Sequence, residues 1–433
     1  MQNAKQESEA QSPQGWNWVE TTVWTERMLA ALGDGVKGGK WFSLWDKIYR
    51  PRTLERAWEI VRKNRGSSGV DGVTIKRFEA QAGKYLEELH VALKEDKYHP
   101  EPVRRVYIPK VGGGKRALGI PCLKDRIVQA ALKMTLEPIF EKEFLPNSYG
   151  FRPERGAKDA LREVDRLLKE GYVWVVDADV EKYFDTIPKA DLLRRVEERI
   201  ADGKILALVE QFLNQGVMED CKVWTPTKGT PAGAVISPLL ANIYLHDMDQ
   251  CLSREGIKVI RYADDFVALC RTETEAQAAL SLIRHWMNNN GLSLNAEKTH
   301  VGNCTVPGKG FEFLGYRFEA GRRWVRKSSL QKLQDTIRRR TRRTVGQSME
   351  MVIKSLNPTL RGWFGYFKHA DKWTFRRVDG FVRRRLRAIL RKQEKRPGFG
   401  RCHADHTRWP NSFFATRGLF TLHEAYVLAS QSR

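Results

Sequence analysis

Long apolar runs are missing from this chain. No stretch of about 18 apolar residues occurs among its 433, and no basic-then-apolar leader opens it, so neither a membrane span nor a secretory signal is expected. The compartment this implies is the cytosol. Cysteine is sparse too: Cys122, Cys221, Cys251, Cys270, Cys304 and Cys402 are scattered without paired spacing, which argues for reduced, mostly buried thiols rather than a disulfide framework. Cys402, His403 and His406 cluster locally but lack a clear fourth ligand for zinc. The glycine run before Lys115 lacks the flanking glycine and Ser/Thr of a Walker loop, so it is not read as an ATPase motif. No repeat of fixed period is evident. Acid is scarce in one region: between Gly321 and Gly400 there are 24 Lys+Arg against 5 Asp+Glu, so this fifth of the chain carries +19 of a formal net charge of +23.

What is present is ordinary globular composition, 41% hydrophobic and 29% charged, with room for two or three domains. The basic block calls for a polyanion. A solvated charged face normally mixes signs, whereas here Trp324, Trp363, Phe364, Tyr366, Phe367, Trp373 and Phe375 are interleaved with the cations. Apolar faces for packing and basic faces for phosphate suit a helical nucleic-acid-binding domain.

Residues 1 to about 15 are polar and read as a disordered tail. From Trp16 to Asn64 the pattern is helical, with Trp41, Leu44, Trp45 and Ile48, then Leu54, Trp58 and Val61 after Pro51, at helical spacing. Arg65 to Gly72 reads as an exposed loop whose small residues let a backbone approach beside Arg65. Val103 to Pro109 and Arg116 to Pro121 predict a hairpin, and a helix follows from Lys124 toward Phe140. Tyr172 to Val180 is a nearly continuous apolar run ending in acid, the pattern of a strand buried on both faces. Ile257 to Tyr262 and Phe266 to Cys270 are separated only by Ala263-Asp264-Asp265, a tight hairpin with paired carboxylates near its turn. Beyond Gly321 the strands are expected to stop, and Leu330, Leu333, Ile337, Phe381, Val382, Leu386, Ile389 and Leu390 mark basic amphipathic helices.

The chemistry concentrates on acid. A carboxylate beside apolar strands costs several kcal/mol unless compensated, and adjacent ones repel. A divalent cation answers both problems for Asp179, Asp264 and Asp265, and two such ions can activate a primer 3′-hydroxyl and stabilise departing pyrophosphate.

Three ordered motifs carry a family resemblance. Asp179-Val180-Glu181-Lys182-Tyr183-Phe184-Asp185, Gly229 to Pro238 and Tyr262-Ala263-Asp264-Asp265 resemble the catalytic motifs of reverse transcriptases. The text around them is similar to bacterial group II intron-encoded reverse transcriptase/maturases: Arg105 to Pro121 with Asp125-Arg126, Ser148 to Pro153, Pro238 to Leu245, Phe313 to Tyr316, and Leu360 to Phe364. The resemblance covers roughly Leu54 to the C-terminus. It implies an α/β (α+β) right-hand polymerase, with fingers and palm over 51–320 on antiparallel sheet. An N-terminal extension (1–50) precedes these, an all-helical basic thumb and maturase domain (321–400) follows, and a nucleic-acid-binding tail (401–433) without a His-Asn-His nuclease signature ends the chain.

The resemblance also implies roles. Asp179, Asp264 and Asp265, with Val180 beside them, would hold Mg²⁺, for which Mn²⁺ could substitute. Phe184 matches the aromatic gate that excludes a ribose 2′-hydroxyl, so the substrates would be deoxynucleoside triphosphates. Lys110 and Arg116 on the fingers hairpin would bind the triphosphate. Ala232 and Gly233 would adjoin the nucleotide, and Lys298 matches the lysine that protonates pyrophosphate. Arg65, Arg152, Arg361 and Trp363 would contact template-primer or intron RNA. One departure stands out: the family usually has glutamine where this chain has Ala232, which bears on fidelity, processivity and substrate preference. Two other functions fit the same motifs, a domesticated polymerase serving DNA repair or phage defence without an intron, and an RNA-binding splicing factor with a vestigial polymerase.

Overall fold

The computed structural model describes residues 16–109, 113–344, 346–400 and 402–431. Residues 1–15, read above as a tail, and Lys110 lie outside the described residues. The chain divides into two compact units. One comprises residues 1–170, 178–270 and 274–300, the other 171–177, 271–273 and 301–433.

In the first unit the expected fingers hairpin forms as β1 (Val103–Pro109) and β2 (Lys115–Ile120), paired antiparallel with Ile108 opposite Arg116. A second small hairpin, β4 (Val217–Glu219) and β5 (Lys222–Trp224), extends it into a sheet of order β2-β1-β4-β5. The predicted buried strand is β3 (Trp174–Asp179), and the acidic hairpin is β6 (Lys258–Tyr262) with β7 (Asp265–Cys270). With β8 (His300–Asn303) the strand order is β6-β7-β3-β8, residues 174–177 of β3 and 301–303 of β8 being counted with the second unit.

The centre of this unit is the helix Leu123–Glu141, buried on nearly every face. Pro138 lies inside it. Proline has no N–H to give the carbonyl four residues back, which is that of Met134. The indole of Trp24, itself almost wholly buried, donates Nε1–H to that oxygen at 3.0 Å. A defect in one helix is thus closed by a side chain from a segment 110 residues away in sequence. The Arg65–Gly72 loop is less free than its composition suggests. Arg65 is exposed, but Gly69 is buried, and a Cβ there would lie 2.6 Å from the Cys122 backbone. Arg104 donates to the Ser68 carbonyl at 2.7 Å and Arg126 donates to that of Ser67.

The second unit contains β9 (Phe311–Phe313), β10 (Tyr316–Glu319) and β11 (Arg322–Val325), in the order β11-β10-β9. β11 corrects the expectation that strands stop at Gly321. Its two arginines hid it, but it is an edge strand, where charge is common because it discourages further pairing. Phe311, Phe313, Tyr316 and Phe318 are buried, with Phe311 stacked on Phe318 at 4.9 Å. Tyr316 donates its hydroxyl to the Tyr366 carbonyl (2.7 Å) and Tyr366 returns one to Leu314 (2.8 Å), tying the tight Leu314-Gly315 turn to the helix Met349–Phe367.

The expected basic helices are Lys327–Arg340 and Lys372–Gln393. The residues after Arg401 pack onto the latter rather than trailing from it. Asp379 accepts the first backbone N–H groups of the helix Leu422–Gln431 at 3.0 and 2.9 Å, and Arg387 donates to the Trp409 carbonyl at 2.9 Å. Arg391 pairs with buried Asp405 at 2.6 Å and also donates to the Cys402 sulfur. The Cys402, His403, His406 stretch therefore starts a short helix anchored by Arg391.

Replacing Trp24 with phenylalanine removes one ring of the indole and leaves the part-buried Met134 carbonyl without its donor. A loss of about 1–3 kcal/mol in unfolding free energy is expected, read by denaturant titration.

Candidate active site

The β6–β7 hairpin turns through Ala263 and Asp264, with Tyr262 opposite Asp265. A turn this short needs a left-handed residue, and Ala263 supplies it at φ 62°. For alanine that conformation costs roughly 1–2 kcal/mol, so something must hold it. Arg261 does. It is fully buried, forks onto Asp249 (Nε–Oδ1 2.9 Å, Nη2–Oδ2 2.5 Å), and donates Nη1–H to Asn242 Oδ1 at 2.8 Å and to the Ala263 carbonyl at 3.0 Å. Asn242 donates in turn to the Gly150 carbonyl at 2.8 Å. Gly150 lies so close to the turn that a Cβ there would meet the Ala263 nitrogen at 2.3 Å.

Asp264 is half-buried and Asp265 exposed. Burial pushes the Asp264 carboxyl above the usual carboxylate range, and the like charge of Asp179 adds to this. Its own backbone N–H and the charges of Arg116 and Arg261 oppose the rise. Asp179 and Asp264 therefore feel one another, and Arg116 on β2 reaches the same field. Asp179 ends β3 half-exposed, where Lys298 Nζ approaches its Oδ2 at 2.9 Å. The strand is prolonged by an antiparallel bridge of Val180 with Leu294, whose bonds run from Glu181 N–H to Ser293 and from Asn295 N–H to Asp179. The Val180 carbonyl takes no part in that bridge.

The motif from Gly229 to Pro238 folds against these elements through backbone. Gly229 sits at φ 87°, and a Cβ there would lie 2.7 Å from the Phe184 carbonyl, which accepts the Thr230 N–H at 2.8 Å. Gly119 of β2 donates to the Ala232 carbonyl at 2.8 Å, and Gly233, at φ 110°, leaves no room for a side chain against the Gly119 oxygen. Between these parts lies a cleft of about 200 Å³ whose walls include Phe184, Ala232, Arg105 and Trp224. The Arg105 guanidinium stands 5.5 Å from the Trp224 ring centroid.

The structure thus gathers Asp179, Asp264, Asp265, Lys298 and Arg116 in one region, and places Phe184 and Ala232, the latter followed by Gly233, on the wall of the cleft. Arg152 is placed differently. It is buried, bound to Glu141 through Nε and Nη2, and it donates to the Leu145, Ser148 and Phe144 carbonyls, so it braces its own loop instead of meeting a ligand. In the second unit Arg361 is exposed over Phe420 (5.4 Å), whereas Trp363 is half-buried against Phe367 (4.9 Å) and Phe375. Arg261, Asp249, Asn242 and Gly150 escaped the sequence reading as contributors to the site. The available signal was an arginine inside the apolar run Val259-Ile260-Arg261-Tyr262, since a cation in a buried strand demands a partner.

Among the described residues no three His, Cys, Asp or Glu side chains form a metal cluster. Magnesium, however, uses one or two carboxylates with phosphate and water oxygens completing its shell. Asp179 and Asp264, mutually repulsive, partly buried and matched now only by flanking cations, fit that donor set.

An acid at the end of one strand and another at the turn of the neighbouring antiparallel hairpin, with an arginine-bearing hairpin acting on them, follow the plan of a right-hand nucleic-acid polymerase. Residues 108–318 match the family "Reverse transcriptase (RNA-dependent DNA polymerase)", and residues 330–409 match "Group II intron, maturase-specific domain". The chain is 34% identical over 311 residues to Protein YkfC of Escherichia coli (strain K12), covering 62% of this chain and 81% of that protein. It is 28% identical over 378 residues to the group II intron-encoded protein LtrA of Lactococcus lactis subsp. cremoris, covering 72% of this chain and 61% of LtrA. A putative COX1/OXI3 intron 2 protein of Saccharomyces cerevisiae is 25% identical over 434 residues, covering 86% of this chain and 49% of that protein. The chain belongs to the reverse transcriptase family, RNA-directed DNA polymerases, in the branch that carries a group II intron maturase domain. It spans about three fifths of the length of LtrA. No described helix is long and apolar enough to cross a membrane.

Arg261→Lys keeps the charge but loses the fork, so extension is expected to slow about 100-fold while the protein stays folded by circular dichroism. A rise in the Mg²⁺ concentration needed for half-maximal rate would mark displaced carboxylates. Because folding raises the Asp264 pKa, the folded state holds the proton more tightly, and stability at that site falls as pH climbs from the unfolded to the folded value. In chelator, Asp264→Asn should therefore melt higher than wild type at neutral pH, on the order of 2 °C, with the gap closing toward acid pH.

Proposed function

We propose that the chain extends a primer 3′-end with deoxynucleotides on an RNA template, using Mg²⁺ at Asp179 and Asp264. We infer further that it binds a group II intron RNA, assists its splicing and supports its retrohoming. The observation that carries the first reading is the electrostatic coupling of Asp179, Asp264 and Arg116 beside the cleft walled by Phe184. The maturase reading rests on the family match over 330–409 and on the +19 charge of residues 321–400.

In this scheme the primer 3′-hydroxyl gives its proton to solvent and its oxygen attacks the α-phosphorus. A new P–O bond forms, the bond to the β-phosphate breaks, and pyrophosphate leaves. Bound Mg²⁺, as one or two ions, would supply Lewis-acid stabilisation of the phosphate oxygens. Arg116 sets a fixed positive charge near those oxygens. Lys298, whose Nζ stands 2.9 Å from Asp179 Oδ2, holds a proton for the pyrophosphate oxygen. Phe184, on the cleft wall, would stand at the sugar and exclude a 2′-hydroxyl.

Primer extension on an RNA template with Mg²⁺ tests this directly. Wild type should extend and Asp264→Ala should not, and Phe184→Ala should admit ribonucleotides about tenfold more readily relative to deoxynucleotides. A folded wild type that binds RNA without extending a primer would leave only the splicing role.

A further inference from the structure

The second unit holds a cavity of about 700 Å³ that the polymerase reading does not use. Its floor follows from strand alternation. Tyr316 and Phe318 of β10 turn into the core, so Arg317 and Glu319 face the other way, and the register sets Arg317 opposite both Glu312 of β9 and Trp324 of β11. The rest of the wall comes from Lys327 and its helix, and from Trp373 and Arg377 at the start of the helix Lys372–Gln393.

The charges here do not cancel. Glu312 is paired with Arg326 at 2.5 Å and Glu319 with Arg317 at 2.7 Å, which holds the Glu319 carboxyl below the usual range. Lys327 and Arg377 line the same space, the charge of Lys327 also bearing on Glu319, so three lining cations face two lining carboxylates. Trp373 is half-exposed, and the Arg376 guanidinium lies 5.0 Å from its ring centroid, itself fixed by a 2.8 Å bond to His423 Nε2. A large aromatic left in water beside spare cations is the arrangement that stacks bases while cations take the phosphate. The volume falls in the range of about 300–1,000 Å³ typical of sites for small ligands, which suits a nucleotide and not a duplex.

We propose that this cavity seats an unpaired nucleobase of bound RNA, stacked on Trp373, with Lys327 and Arg377 on the flanking phosphates. The inference rests on the RNA-binding reading above and adds a single-strand-specific site to it. A paired base offers no free face to the indole, so a blunt-ended RNA duplex would engage the basic surface but not the cavity.

Fluorescence anisotropy with a labelled unstructured RNA about 20 nucleotides long, and with a blunt-ended RNA duplex of about the same length, tests it in the full chain. Trp373→Ala should weaken single-strand binding about tenfold and leave duplex binding unchanged, and Trp373→Phe should restore most of the loss. A 2-aminopurine in the single strand should be quenched by wild type and not by Trp373→Ala. Melting curves should match, because Trp373 is half-exposed. Equal single-strand affinity of wild type and Trp373→Ala, or equal loss on both RNAs, overturns the site while leaving the polymerase reading standing. A wild type that binds neither RNA overturns the site and the RNA-binding reading together, and primer extension then shows separately whether polymerisation survives.

Discussion

The fork of Arg261 onto Asp249 is the interaction on which the rest depends. A fully buried ion pair is not by itself a source of stability, since both partners give up water. Its value lies in direction: two of its donors hold the Ala263 carbonyl and Asn242, and through them the left-handed turn that carries Asp264 and Asp265. The Ser148 to Pro153 segment joins the same network, with Gly150 against the turn and Arg152 locking its own loop. Sequence motifs more than 100 residues apart are therefore one structural object, and the exposed acid rests on a polar core already satisfied without it.

Much of this was legible in residue order. The hairpins β1–β2 and β6–β7 and the strand β3 fall within a residue or two of where alternation and turn chemistry put them, because each is a local pattern bounded by glycine, proline or acid. The three aspartates stood out since acid next to apolar strands needs a reason. What stayed hidden was tertiary. Nothing local says that Arg152 spends its guanidinium on Glu141 and carbonyls, that Trp24 repairs the gap at Pro138, or that the Arg322-Arg323 stretch pairs as an edge strand. Arginine in particular reads alike whether it meets phosphate or its own backbone.

The two units handle charge in opposite ways. In the first, Arg261 and Arg152 are buried and fully engaged, and Arg116 is exposed on the hairpin. In the second, cations greatly outnumber acids, and several arginines lie over aromatic rings, such as Arg338 and Arg384 over Phe381 and Arg361 over Phe420. Those rings give otherwise repelling guanidinium groups a fixed direction without neutralising them, so the surface keeps its attraction for phosphate.

The joint between Gly119 and the Ala232-Gly233 peptide is made of main-chain atoms only. The side chain at 232 enters the cleft without taking part in that joint. This position can change its identity while the hairpin and the loop stay registered, whereas the glycines on either side of the contact cannot. Ala232 in place of a longer side chain is thus a change of furniture and not of framing, and it shows where drift could retune the nucleotide cleft with little cost to folding.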